Sequence, residues 1–523
     1  MPSYLVRISD MKLVQGSEVH EGYCALSYSW NQSGEIIKNK TTNNCDRMDQ
    51  GKHKIIYPGK TIRKKPRGRK RIPGKVKFVK FEELIQEIGK DFNIKYIWYD
   101  QMCINQNDEE EKHGEIHQMH KIYSHAYCTI ALVPELITRV RKRYPDTTTC
   151  LIDMRIGYLL GSQWMKRMWT LEETILSTKM LFVGRNVHCW WYRLSKDHFP
   201  IFYKDFVCDV ATILHYAHTR TSTKEHDCIF ALANIFPGVI QEITIDYNQD
   251  VQELMMQFYG ALAKKDLSIL CFGKYTHYKT MCKTSCSDST KKDSNTRKKV
   301  DHDIPIQKFN LPSWTGVYGE HFKYGGYKTS FKNYTVSRRV LKITCRGMCN
   351  DQHQTDIPAI LSITRDDIPP LPQQNANDDC GWLLVIPIRL PGFTNEKFIE
   401  VYTVFSGATR LHPEAYRSII IYLRNLSHFI PINKMNLQWI PARSGITTSW
   451  FGFHQLVETM QDFCQYVLLT EVQFTLDDKR FAVRHPILKK VGDHYKAIGL
   501  CTIGKDPHFF DNTTLEEQIF EIH

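Results

Sequence analysis

Six residues, MWTLEE (168–173), set a tryptophan, a hydroxyl and two adjacent carboxyls side by side. Thr170 and Glu173 have the Thr-x-x-Glu spacing of a capping box, in which the acid accepts a free backbone N–H at a helix start and the dipole favours its charge. A second use stays open: a carboxylate held out for chemistry. Two other segments carry residues able to join it. YCALSYSW (23–30) ends on Ser27, Tyr28 and Trp30, and YIWYDQMCINQ (96–106) holds Asp100, Asn105 and Gln106. Each also has a plain structural reading. Tyr28 and Trp30 can cover the edge of a core, and Asp100 can cap a turn or the helix after it.

Other signatures fail on spacing. Gly59-Lys60-Thr61 lacks the glycine that a phosphate-binding loop needs five positions earlier, where Lys54 stands. His113, His117 and His120 fall at helical spacing, but HGEIH puts its acid at the wrong place for a zinc protease, so these read as solvated surface histidines. The spacings Cys282-x3-Cys286 and Cys345-x3-Cys349 have no matching second pairs, so no metal site is expected. No glycine-flanked serine elbow or cysteine-protease signature is present.

The segments that matter sit in a strand-then-helix rhythm. Tyr23–Tyr28, Tyr96–Asp100, Cys128–Val133 and Met180–Val183 are apolar strand candidates. Phe81, Leu84, Ile85, Ile88 and Phe92 share one helical face, as do Ile116, Met119, Ile122, Tyr123 and Ala126, and a further helix begins near Trp169. Such alternation implies a mainly parallel sheet covered on both faces, with its site at the carboxyl ends of the strands. Those ends are Ser27 to Trp30 and Asp100 to Asn105. Residues 196–275 read as a helical extension, and the polar stretch 276–307 as a flexible linker or loop. From 308 to 523, short runs such as VLKIT and WLLVIPI indicate a β-rich C-terminal region.

The blocks YCALSYSW, IWYDQMCINQNDEEEKHGEIHQMHKIYSHA (97–126) and WMKRMWTLEE (164–173) resemble, in order, the fungal heterokaryon incompatibility (HET) domain family. The family core is matched by Trp98, Asp100, Cys103, Ile104, Asn105, Gln106, Met119, Ile122, Tyr123 and Ala126. Asn31 replaces its usual glycine, and Glu172 stands where the family usually has glutamine. HDCIFALANIF (226–236), IDYNQDV (245–251), LPSWTG (311–316) and VGDHYKAIG (491–499) look like downstream segments of long HET proteins. HET domains are in turn distantly similar to the Toll/interleukin-1 receptor (TIR) domain. The resemblance implies an open, flavodoxin-like parallel α/β sheet over residues 1–195, with a basic loop inserted at 50–80.

It also implies a role in self/non-self recognition and regulated cell death, with self-association or other signalling proteins as partners. In NAD-cleaving TIR relatives a glutamate lies where Glu173 stands. By that likeness Glu173 is the catalytic carboxylate and NAD the possible substrate, with no resident cofactor. Ser27, Tyr28, Trp30, Asp100, Asn105 and Trp169 would line the substrate site. The alternative is a non-enzymatic signalling module whose Glu173 only caps its helix.

Composition narrows the class further. Over 523 residues, 42% apolar and 24% charged, the chain can bury a large core. The net charge of +13 is localised: residues 60–80 hold eleven Lys or Arg and no acid, which leaves +2 for the rest. That segment reads as an exposed loop, with nuclear import or nucleic-acid contact as its functional options. A start lacking secretory-signal features, no long apolar run, and sixteen dispersed cysteines point to a cytoplasmic, possibly nuclear, protein with reduced thiols and no membrane partner.

Overall fold

The computed structural model describes residues 1–29, 35–38, 45–48, 52–55, 77–136, 159–184, 188–194, 201, 209–274, 309–322, 327–350, 363–373, 381–392, 396–408, 410–476, 479–506, 508–511 and 513–523. Trp30, most of the basic segment 60–80, the stretch 276–307, and Cys282 with Cys286 lie outside the described residues. Two compact units emerge. The first is Met1–Phe206 with Thr219–Phe258, and the second is Val207–His218 with Tyr259–His523.

In the first unit, a seven-stranded sheet contains β1 (Tyr4–Arg7), β2 (Lys12–Gln15), β3 (Cys24–Ser27), β4 (Tyr96–Trp98), β5 (Thr129–Leu132), β6 (Met180–Val183) and β7 (His188–Trp190). Its order is β7-β6-β5-β3-β4-β1-β2. The four central strands run parallel, whereas β1, β2 and β7 attach antiparallel at the two edges. Counting only the parallel strands in chain order, the sequence is 2-1-3-4, the order of doubly wound flavodoxin-like sheets. The sheet is therefore mainly parallel, as the sequence indicated, with antiparallel strands at its edges. β3 and β5 are buried along their whole length, as strands covered on both faces must be.

Helices supply the cover. α1 (Phe81–Phe92) buries Leu84, Ile85 and Ile88 on one face. A short α2 (Asp100–Cys103) follows β4. Asp108 caps α3 (Glu109–His125) by accepting Glu110 N and Glu111 N at 3.0 Å, and Ile116, Met119, Ile122 and Tyr123 form its buried face. α4 (Gln163–Lys166) leads into α5 (Trp169–Leu176). Further along the chain, α6 (Val210–His218) belongs to the second unit, α7 (Glu225–Ile235) and α8 (Pro237–Ile240) belong to the first, and the residues of α9 (Val251–Lys265) are divided between them. Two of the α3 histidines, His113 and His120, are not solvated as their spacing suggested. His120 Nδ1 meets Asn234 Oδ1 of α7 at 3.2 Å and His113 packs 5.8 Å from the Tyr247 ring, because α3 turns that face toward α7.

The second unit is β-rich, built on a twelve-stranded sheet. Five of its strands close on themselves: Val340–Met348, Glu517–Ile522, His494–Gly504, Lys479–Val491 and Tyr466–Leu469 each pair with the next, and the last pairs with the first. Closure leaves these strands few free edges. Beside them α10 (Pro413–Ser427) buries Ala415, Ile419, Leu423 and Leu426.

Candidate functional site

Ser27 is the last residue of β3, whose chain-order neighbour β4 lies on one side and β5 on the other. The carboxyl ends of β3 and β5 thus flank the point where the strand order reverses, the usual crevice of doubly wound sheets. There Ser27 is fully buried and its hydroxyl donates to Glu173 Oε2. Trp164 Nε1, from α4, donates to the same Ser27 Oγ at 2.6 Å. One residue on, Tyr28 OH donates to Asp100 Oδ1 at 2.9 Å, and the same carboxylate oxygen takes the N–H of Gln101 at 2.8 Å. The Arg167 guanidinium donates to Tyr28 O.

The capping-box reading of Thr170 and Glu173 fails. α5 is preceded by Met168, which already has helical φ and ψ and offers no side-chain cap. That register puts Thr170 inside the first turn, where its hydroxyl donates backward to Trp164 O at 2.6 Å and Arg167 O at 2.9 Å. Glu173 then lies beyond reach of the free N–H groups and turns toward β3. The helix start is instead held from a distance in sequence: Met168 N donates to Thr221 O at 3.0 Å, and Arg220 Nη1 donates to Arg167 O at 2.9 Å and Thr170 Oγ1 at 2.7 Å.

Burial pushes the Glu173 carboxyl up to about 7, with the Asp100 charge adding to the rise. The Arg167 charge and the Ser27 and Tyr123 hydroxyls pull the other way without cancelling it. Such a group exchanges its proton near neutral pH, the range a general acid or base uses. Glu172 behaves differently. It is 0% exposed, and neither carboxyl oxygen has a hydrogen-bond partner among the described residues. Burial first, and the neighbouring Glu173 charge second, drive its carboxyl well above the usual range. Both carboxyls are therefore buried, but only Glu173 is bonded to Ser27.

The structure thus brings Ser27, Tyr28, Asp100 and Glu173 together around Trp164, Arg167 and Tyr123. Asn105 stands apart, exposed on the loop after α2, with its amide donating to Glu111 at 3.1 Å and its carbonyl accepting Asn107 N at 3.2 Å. Trp169 is half-buried at the start of α5. Trp164, Arg167 and Tyr123 sat within the quoted motifs without a role. A buried indole N–H must find an acceptor, and that was the signal for Trp164. Access to the cluster is narrow: Glu173 is 5% exposed. Two cavities, of about 400 and 250 Å3, belong to the second unit and are lined by none of these residues.

Among the described residues no helix is long and apolar enough to cross a membrane. No curated protein and no solved structure matches the chain. Residues 23–139 match the family described as heterokaryon incompatibility protein (HET). That interval takes in Ser27, Tyr28, Asp100 and Tyr123, and stops before Trp164 and Glu173. By that match, residues 23–139 of the chain carry a HET domain.

Proposed function

We propose that this protein acts in self/non-self recognition as an effector whose α/β unit hydrolyses NAD, with Glu173 as the central carboxylate. The observation that carries the reading is a carboxyl poised at about 7 that its own helix does not use, bonded to Ser27 at the end of a central parallel strand. In the reaction the bond from ribose C1 to the nicotinamide nitrogen breaks, nicotinamide leaves with the bonding pair, and water adds to C1, giving ADP-ribose and a proton. An ionised Glu173 stabilises the positive charge that grows on the ribosyl group, as carboxylates do in glycoside hydrolysis. Tyr28 offers a flat wall for the nicotinamide ring.

The closed state of the cluster favours a second reading, a signalling module that acts by contact, since Ser27 is 0% and Glu173 5% exposed. The two separate in one assay of the full chain, following NAD by chromatography for wild type and Glu173→Gln. Glutamine keeps an oxygen for the Ser27 hydroxyl but cannot ionise. Hydrolysis is expected to vanish in Glu173→Gln while its melting temperature holds or rises. A wild-type protein that leaves NAD intact at every concentration removes the enzymatic reading.

A further inference from the structure

We propose that Cys24 and Cys128 form a redox-modification site, a thiol pair in the N-terminal sheet that a peroxide converts to a disulfide. Cys24 opens β3 and Cys128 immediately precedes β5. The parallel register that pairs Ala25 with Thr129 sets the two cysteines one step earlier, opposite each other. Ala25 N donates to Cys128 O at 3.0 Å, and the two sulfurs are 3.5 Å apart. Neighbouring strands run about 4.8 Å apart, inside the roughly 4.4–6.8 Å that a disulfide spans between Cα atoms. The remaining closure to an S–S bond of about 2.05 Å is then a matter of side-chain rotation.

The surroundings favour reaction at this pair over the other buried thiols. Both cysteines are 3% exposed, but the chain beside them reaches solvent at Gly22 and at Tyr127, which is 65% exposed. The Cys128 thiol hydrogen-bonds to Cys24 and holds the Cys24 thiol below its ordinary value, while that same hydrogen bond and burial push the Cys128 thiol up, opposed in part by the charge of Lys179, which lies over the Tyr127 ring at 4.5 Å. Burial instead pushes the thiols of Cys103, Cys189 and Cys345 up. A lowered thiol is the better nucleophile at neutral pH.

The chemistry balances with hydrogen peroxide as oxidant. The Cys24 thiolate attacks one peroxide oxygen and breaks the O–O bond, leaving a sulfenic acid and a hydroxide that takes the thiol proton to become water. Cys128 then loses its proton, attacks the sulfenic sulfur, forms the S–S bond and expels a second water. Two thiols lose two electrons in all, and one peroxide gains them. The new bond would pin the amino ends of β3 and β5, three residues from Ser27, and tie together 24 and 128 in the unfolded chain, which raises stability.

The full-length protein is treated with hydrogen peroxide at neutral pH, alkylated, digested without reductant and mapped by mass spectrometry. A peptide pair joined through Cys24 and Cys128, lighter than the two free peptides by two hydrogens and released by dithiothreitol, is expected. The oxidised protein should also melt at a higher temperature, and Cys24→Ser and Cys128→Ala should each remove that dithiothreitol-reversible rise. If both thiols of the wild-type protein stay free, or end as separate sulfinic or sulfonic acids, the proposal is wrong. That mapping decides the matter even where a variant folds poorly.

Discussion

Glu172 and Glu173 are neighbours in sequence with opposite fates, and the difference can be measured. Glu173 has a hydroxyl partner and a nearby guanidinium, whereas both oxygens of Glu172 lack hydrogen bonds among the described residues. A buried carboxyl without partners costs stability whenever solvent would rather ionise it. Both groups have folded values above the unfolded 4.5, so their contribution is fully present below 4.5 and is lost as pH rises through the folded value. For Glu173 the window runs from 4.5 to about 7, a loss of roughly 3 kcal/mol. Glu172→Gln is expected to stabilise the first unit by about 1–3 kcal/mol at pH 8, because an amide has no charge to be kept from water. It should make little difference at pH 4, where the acid is protonated in both states. Urea unfolding of the two proteins at both pH values checks the sign, and equal stability at pH 8 would show that Glu172 has found a partner. If NAD is hydrolysed, its rate should rise through pH 7 as Glu173 ionises, and a profile flat from pH 5 to 9 would remove Glu173 from the role.

At the scale of elements, the start of α5 depends on a residue about fifty positions downstream. Arg220 is 6% exposed, and one nitrogen serves both Arg167 O and Thr170 Oγ1. Arg220→Ala should lower stability by about 2–3 kcal/mol, as removal of a buried charged donor does. Arg220→Lys should recover only part of that, since an ammonium cannot reproduce the planar fork. Thermal melts of the three proteins test both statements, and full rescue by lysine would mean that charge alone matters. No local pattern around Arg220 announces this contact, which is why the sequence left the capping box standing: Thr-x-x-Glu tells the spacing, not where the helix begins. Periodicity did better with packed faces. Ile116, Met119, Ile122 and Tyr123 are buried as their spacing required, and Met180–Val183 is a strand to the residue. Asn105 is close to Asp100 in sequence, while α2 intervenes and Asn105 lies exposed beyond it. α10 escaped notice for a related reason: three consecutive isoleucines, 419–421, favour a strand locally. The helical spacing of Ala415, Ile419, Leu423 and Leu426 prevails once they have a sheet to cover.

Taken whole, the molecule joins two units whose buried titrating groups respond to pH with opposite signs. In the first, Glu172 and Glu173 make the folded state weaker as pH rises above 4.5. In the second, burial holds His485 down at about 4 and His321 well below its ordinary value. His485 is 1% exposed with Nδ1 3.1 Å from Leu469 O, and His321 is 1% exposed with Nε2 3.1 Å from Ile269 O. Folded values lowered below the unfolded 6.5 mean that these histidines contribute stability above 6.5 and lose it as pH falls. His485 would subtract about 2 kcal/mol by pH 5, and His321 acts in the same direction. Asp209, pushed up by burial to about 6, opposes them, yet between pH 5 and 7 it amounts to roughly 1 kcal/mol. The second unit should therefore gain stability from pH 5 to 7.5 while the first loses it. Calorimetry over that range is expected to show two transitions moving in opposite directions, with His485→Gln flattening the response of one and Glu172→Gln that of the other. Two transitions that shift together, or variants that each move both, would mean that the buried carboxyls and the buried imidazoles belong to one cooperative structure.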